Sequence, residues 1–174
     1  MAPARAIEAL GRLFQRHPVP TNEELASYAA AVRPAVVRAE RLYEQWFETA
    51  ALLDDNAKLA NSAAIHRWEL ATMGQALERV TPPAALARPH AEVVAALVMG
   101  SRAAQLLSNG SRFHSASAVC DGQTLLESSR KRRLAAAARI RRALERNQVP
   151  WDSDDPTPGP SGPLASPQES LPRS

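Results

Sequence analysis

Apolar side chains recur alternately three and four residues apart through most of this chain. From Leu25 the steps reach Ala29, Val32, Val36, Ala39, Tyr43, Trp46, Ala50 and Leu53. A second run links Leu59, Ala63, His66, Leu70, Met73, Leu77 and Val80, and a third Leu86, His90, Val93, Leu97, Gly100, Ala104 and Leu107. A looser fourth passes through Phe113, Ala116, Cys120 and Leu126 to Ala137, Ile140 and Leu144. Seven-residue spacing is the period of helices that cross at shallow angles, so four long helices are predicted, over 22–54, 57–81, 85–109 and 112–147.

The punctuation between the runs agrees with these bounds. Thr21 and Glu24 have the spacing of a capping box. Asp54-Asp55-Asn56 closes the first helix and can cap the second. Pro82-Pro83 stops the second, because neither residue donates a helical hydrogen bond. Asn109-Gly110 reads as a left-handed end to the third. Pro34 falls within an unbroken pattern and predicts a kink rather than a break. Short connections make successive helices antiparallel neighbours. The expected fold is therefore all-α, an antiparallel up-down four-helix bundle over residues 21–149. A short amphipathic helix, with Ile7, Leu10, Leu13 and Phe14 on its apolar face, is expected over 1–20. Residues 150–174 hold 7 of the 14 prolines and few large apolar side chains, and are expected to be a disordered tail.

Composition narrows the class. Apolar residues make up 45% of the chain but aromatic ones only 5%, much of the difference being alanine, which suits helices packed closely through small side chains. Arg5, Glu8, Arg12 and Arg16 interrupt the N-terminus at helical spacing, unlike a signal peptide. No segment approaches the roughly 20 apolar residues of a membrane span, and a cytoplasmic location is expected. Cys120 is the only cysteine, so neither an intrachain disulfide nor a thiolate metal site is available. It is expected to be a small buried hydrophobe.

Charge is concentrated in one place. Arg130, Lys131, Arg132, Arg133, Arg139, Arg141, Arg142 and Arg146 face only Glu145 within residues 130–146, whereas the rest of the chain is close to neutral or acidic. This stretch is the candidate anion-binding site, for an acidic protein face, nucleic-acid phosphates or a membrane surface. If the last helix turns back at Gly110, its final turns overhang the Pro82-Pro83 end by about 15 Å and are exposed. Against this, Glu23 and Glu24 extend past the same end, and the N-terminal helix has the apolar face to close over Ile140 and Leu144. No aromatic residue is interleaved among the basic ones for stacking on single strands, and no helix-turn-helix spacing presents them to a groove.

Other candidates resolve into packing. His66 and His90 lie on facing seams, but counting residues from the Pro82-Pro83 turn separates them by about 15 Å along the axis, too far to share an ion. Glu40, Glu44 and Glu48 recur every four residues beside Arg41, as on a solvated face. Trp46 and Trp68 are expected to pack between helices. Ser111 and His114 are near each other without an orienting acid, and no nucleophile elbow, phosphate loop or zinc-helix motif occurs.

One combination of features resembles a known group. Val32-Arg33-Pro34 within a long helix, Trp68 in the next, Leu77-Glu-Arg-Val80 ahead of Pro82-Pro83, and His90 seven residues later resemble a loose group of uncharacterised bacterial helical-bundle proteins. The resemblance spans roughly residues 22–130 and implies the bundle fold, with no established activity. The leading expectation is a non-enzymatic interaction or structural protein without cofactor or metal, binding a protein partner or itself. The alternative is a binder of an anionic partner (nucleic acid, an acidic protein or a membrane surface) through 130–146. An enzyme or metalloprotein with an unmarked site stands third.

Overall fold

A computed structural model describes residues 19–50 and 55–151. The helix expected over 1–20 and most of the tail expected over 150–174 lie outside the described residues. Every regular element among the described residues is helical: α1 Asn22–Thr49, α2 Asn56–Glu78, α3 Ala87–Arg112 and α4 Ala116–Arg146, with a 3-10 turn Ala84–Leu86 leading into α3. The four helices pack into a bundle around one apolar core.

Local chemistry sets the helix starts. At α1, Glu24 N–H donates to Thr21 Oγ1 (3.2 Å) while Thr21 N–H donates to Glu24 Oε2 (2.8 Å), a complete capping box. Asp55 caps α2 through Ala57 N–H at 2.7 Å. α1 continues through Pro34 to Thr49. Its buried face runs Leu25, Tyr28, Ala29, Val32, Val36, Ala39, Leu42, Tyr43 and Trp46.

The link between α3 and α4 departs from expectation. α3 does not end at Asn109-Gly110 but continues to Arg112, and the left-handed residue is His114, at φ 53°. Ser115 N–H then donates to Gly110 O (2.8 Å), closing the two-bond C-cap usually built on glycine. Gly110 answers a different demand: a Cβ there would lie 2.9 Å from Val119 N and 3.1 Å from Ala118 Cβ. It lets α3 and α4 touch. α4 ends with the same motif, Gln148 taking φ 56° and Val149 N–H donating to Leu144 O at 3.0 Å.

Two packing regimes coexist. The backbones of α2 and α3, and of α3 and α4, run close together, whereas α1 approaches α2 and α4 closely at few points. In the α3–α4 contact Gly100 lies against Ser129, Ala103 and Leu107 against Gly122, and Gly110 against Ala118 and Val119. α1 reaches its neighbours through Tyr28, Tyr43, Trp46 and Phe47.

Three expectations on packing are corrected. Cys120 is exposed, as are Phe113 (79%) and Trp68 (67%). The true α4 seam runs Gly122, Leu126, Ser129, Arg133, Ala136, Ala137, Ile140 and Leu144. It contains glycine, serine and arginine, which an apolar filter passes over. Finally, Trp151, expected in the tail, is buried together with Val149.

Candidate functional site

The basic stretch lies within α4, which sorts its eight cations by angle. At 3.6 residues per turn, Lys131, Arg132, Arg139, Arg142 and Arg146 fall within a sector of about 100° on the side away from the seam. All five are exposed. Arg130, Arg133 and Arg141 point toward α1 instead, each over an aromatic ring. Arg130 stands 5.2 Å from the centroid of Phe47, Arg133 5.5 Å from Tyr43 and Arg141 5.3 Å from Trp151. Aromatic partners for the arginines therefore exist, although none is on α4 itself. Such cation–ring contacts contribute about 0.5–2 kcal/mol each, the more when desolvated.

The expected overhang is absent. Arg139 pairs with Glu92, five residues into α3, and α4 ends seven residues later, about level with the Pro82-Pro83 turn rather than well beyond it. The cause is the α3–α4 link, where α4 starts only at Ala116. Ile140 and Leu144 are fully buried. The acidic partners are Glu92 and Glu40, not Glu23 and Glu24.

Arg133 is the strongest departure from a solvated face. Its side chain is 0% exposed. Nη1 reaches Val36 O at 3.5 Å, while no acceptor among the described residues meets Nε or Nη2. Burial lowers its pKa from the ordinary arginine value, and the nearby Glu40 carboxylate opposes that shift. Glu40 itself is half-buried and accepts from Arg141 Nη2 at 3.3 Å, leaving Arg141 Nε buried without an acceptor. Beside Arg133, Ser129 Oγ donates to Ala96 O at 2.8 Å, so the Tyr43 hydroxyl must donate to Ser129 Oγ.

The outward face is differently arranged. Glu92 accepts from Arg139 and from Arg88 Nε (3.2 Å), the one carboxylate of α3 set against this face. Arg142 and Arg146 direct Nε back to Ala138 O and Arg142 O, both at 3.1 Å, keeping their guanidinium ends outward. Between α3 and α4 runs a groove of about 330 Å³ lined by Ala95, Ala96 and Ala135, with Arg132, Arg139 and Glu92 on its edges.

Both seam histidines have internal partners, although His66 Nε2 is buried without one among the described residues. His90 is buried, with Nε2 donating to Leu77 O (3.1 Å), so Nδ1 accepts from the Tyr28 hydroxyl (3.0 Å). Burial lowers the His90 pKa from its ordinary 6.5, which keeps this neutral arrangement. His66 directs Nδ1 to Ser62 O (2.9 Å) and presents its ring edge-on to Trp46, centroids 5.0 Å apart. Glu44 and Glu48 are exposed. Ser111 Oγ and His114 are not hydrogen-bonded to each other, and Asn56 Nδ2 donates to His114 Nδ1 at 3.1 Å. Among the described residues no group of three His, Cys, Asp or Glu side chains is placed to hold a metal, and no helix is long and apolar enough to cross a membrane.

Comparison with known proteins adds no further constraint. No family model, no curated protein and no solved structure matches the chain.

Proposed function

We propose that this chain is a non-enzymatic helical-bundle interaction protein that presents the outward face of α4 to an acidic protein surface. The supporting observation is the division of the basic stretch: Lys131, Arg132, Arg139, Arg142 and Arg146 share one exposed sector, opposed by a single α3 carboxylate, Glu92. The alanine-lined groove beside them offers a small-residue floor for a partner helix, with cations on its edge to set the partner's charge. An acidic protein fits better than nucleic acid, because the rings that bases would stack on lie under the inward arginines.

The same reading takes the helices to run alternately up and down. Cross-helix partners support it: Ser101 with Arg67 and His90 with Leu77 for α2–α3, Glu92 with Arg139 and Ala96 with Ser129 for α3–α4, Val36 with Arg133 and Tyr43 with Ser129 for α1–α4. A single unpaired cysteine suits a reducing compartment, and we place the protein in the cytoplasm on that ground.

Retention of the full chain on immobilised polyglutamate is the test. Binding that weakens steeply with salt and falls at least about tenfold when Lys131, Arg132, Arg142 and Arg146 are changed together to Gln is expected. Absence of retention at low salt overturns the proposal. Stronger, equally salt-dependent binding to duplex DNA replaces the acidic protein by nucleic acid.

A further inference from the structure

We infer that the α1–α4 seam contains a second, independent site, in which Arg133 and Arg141 hold one small oxyanion (a phosphate or carboxylate group) beside Glu40. Three donor atoms on this side of α4 have no acceptor among the described residues: Nε and Nη2 of Arg133 and Nε of Arg141, each shielded from solvent, while the two guanidinium groups bond Val36 O and Glu40, one turn apart on α1. Arg133 is wholly buried, so bulk water does not complete its shell. One carboxylate, Glu40, serves both guanidinium groups, and Arg130 adds like charge from the preceding turn. The seam thus carries more positive than negative charge where screening is weakest.

Packing alone does not call for this arrangement. An apolar side chain of arginine's length at 133 would fill the position without an unmet donor. A planar guanidinium with Nε and Nη2 both unpartnered has instead the donor geometry that grips two oxygens of one oxyanion. Access is available on the α1 side, where a cleft of about 980 Å³ is lined by Val37, Glu40, Glu44, Arg141 and Trp151 among others. Glu40 lines the cleft and pairs with Arg141 there, whereas Arg133 does not line it, so an ion reaches Arg133 only when the Glu40 carboxylate moves. An entering oxyanion takes over part of the role of Glu40, whose carboxylate turns outward. The Arg141–Trp151 contact closes one side of the entrance.

The test is calorimetric titration and thermal melting of the full chain with inorganic phosphate, and separately with acetate, against chloride at constant ionic strength. Saturable binding of one equivalent is expected for phosphate, acetate or both, and their ratio reads the preferred oxyanion. Arg133→Met, which removes the charge without opening a cavity, should keep the helical signal and weaken the binding at least about tenfold. Arg141→Gln, at a half-exposed position, should weaken it as well, whereas Arg112→Gln on the exposed end of α3 should not. Glu40→Gln should tighten it by removing the competing carboxylate. Phosphate and acetate responses no larger than chloride's, or equal in the wild type and Arg133→Met, overturn the inference. The polyglutamate assay of α4's outward face reads a separate set of residues, so either result stands without the other.

Discussion

The α3–α4 contact and the α1 seam solve the same packing problem with opposite materials. Between α3 and α4, glycine and alanine bring two backbones close together, with Leu107 and the Ser129 hydroxyl fitted against them. Along α1, tyrosine, tryptophan and arginine hold the helix further off, and the space admits polar chemistry. The buried His90–Tyr28 pair, the Tyr43–Ser129 bond and Arg133 all lie there. Small residues fix where the helices run, and large ones leave room for groups that charge, donate or bind.

Substitutions that exchange the two materials should break this contrast. The largest effect is expected from Trp46→Ala, which empties a fully buried position of α1 and should cost about 3–5 kcal/mol in denaturant unfolding. Gly122→Ala acts on the close-packed side. Its Cβ would lie 2.8 Å from Leu107 Cγ and 3.0 Å from Leu107 N, so the two backbones must separate. A loss of about 1–3 kcal/mol is expected despite the higher helix propensity of alanine. Arg133→Met should move the other way and raise stability by about 1 kcal/mol or more, since the buried charge is incompletely paired. Glutamine at Lys131 or Arg142 should leave stability within about 0.5 kcal/mol, as for other exposed surface positions.

Acid sharpens the comparison further. The folded pKa of His90 is depressed, so its contribution is complete above the ordinary value of 6.5 and is lost as pH falls below it toward the folded pKa. Denaturant midpoints measured between pH 7 and pH 5 should therefore decline in the wild type. Tyr28→Phe, which removes the donor to Nδ1, should be less stable at pH 7 by about 1–2 kcal/mol.

How much of this was legible in the sequence differs along the same line. The seams of α1 and α3 could be read because Val32, Val36, Tyr43, Val93, Leu97 and Leu107 are apolar and regularly spaced, and each is buried. The seam of α4 could be read only in part: Leu126, Ala137, Ile140 and Leu144 are on it as expected, but Gly122, Ser129 and Arg133 occupy its other positions and no apolar pattern marks them. The same confusion shifted the start of α4: Gly110 reads locally as a helix stop, and its real role is set by Val119 and Ala118 on the next helix. With the start shifted, the overhang followed, and the cover for the basic stretch was sought at Glu23 and Glu24 rather than at Glu40 and Glu92. The arginine–ring contacts were out of reach for a similar reason, since Phe47 and Tyr43 lie more than eighty residues before their cations. One signal was available: Arg133 falls seven residues after Leu126 and seven before Ile140, in phase with the core.

The central claim is that α4 carries two basic sets with separate roles, and affinity for polyglutamate at low salt tests it most directly. The full chain, the Lys131/Arg132/Arg142/Arg146→Gln variant and Arg133→Met should be measured side by side. The account predicts at least about a tenfold loss for the outward variant and less than twofold for Arg133→Met. Equal losses in both would contradict it, because the eight cations would then be acting as one undivided patch.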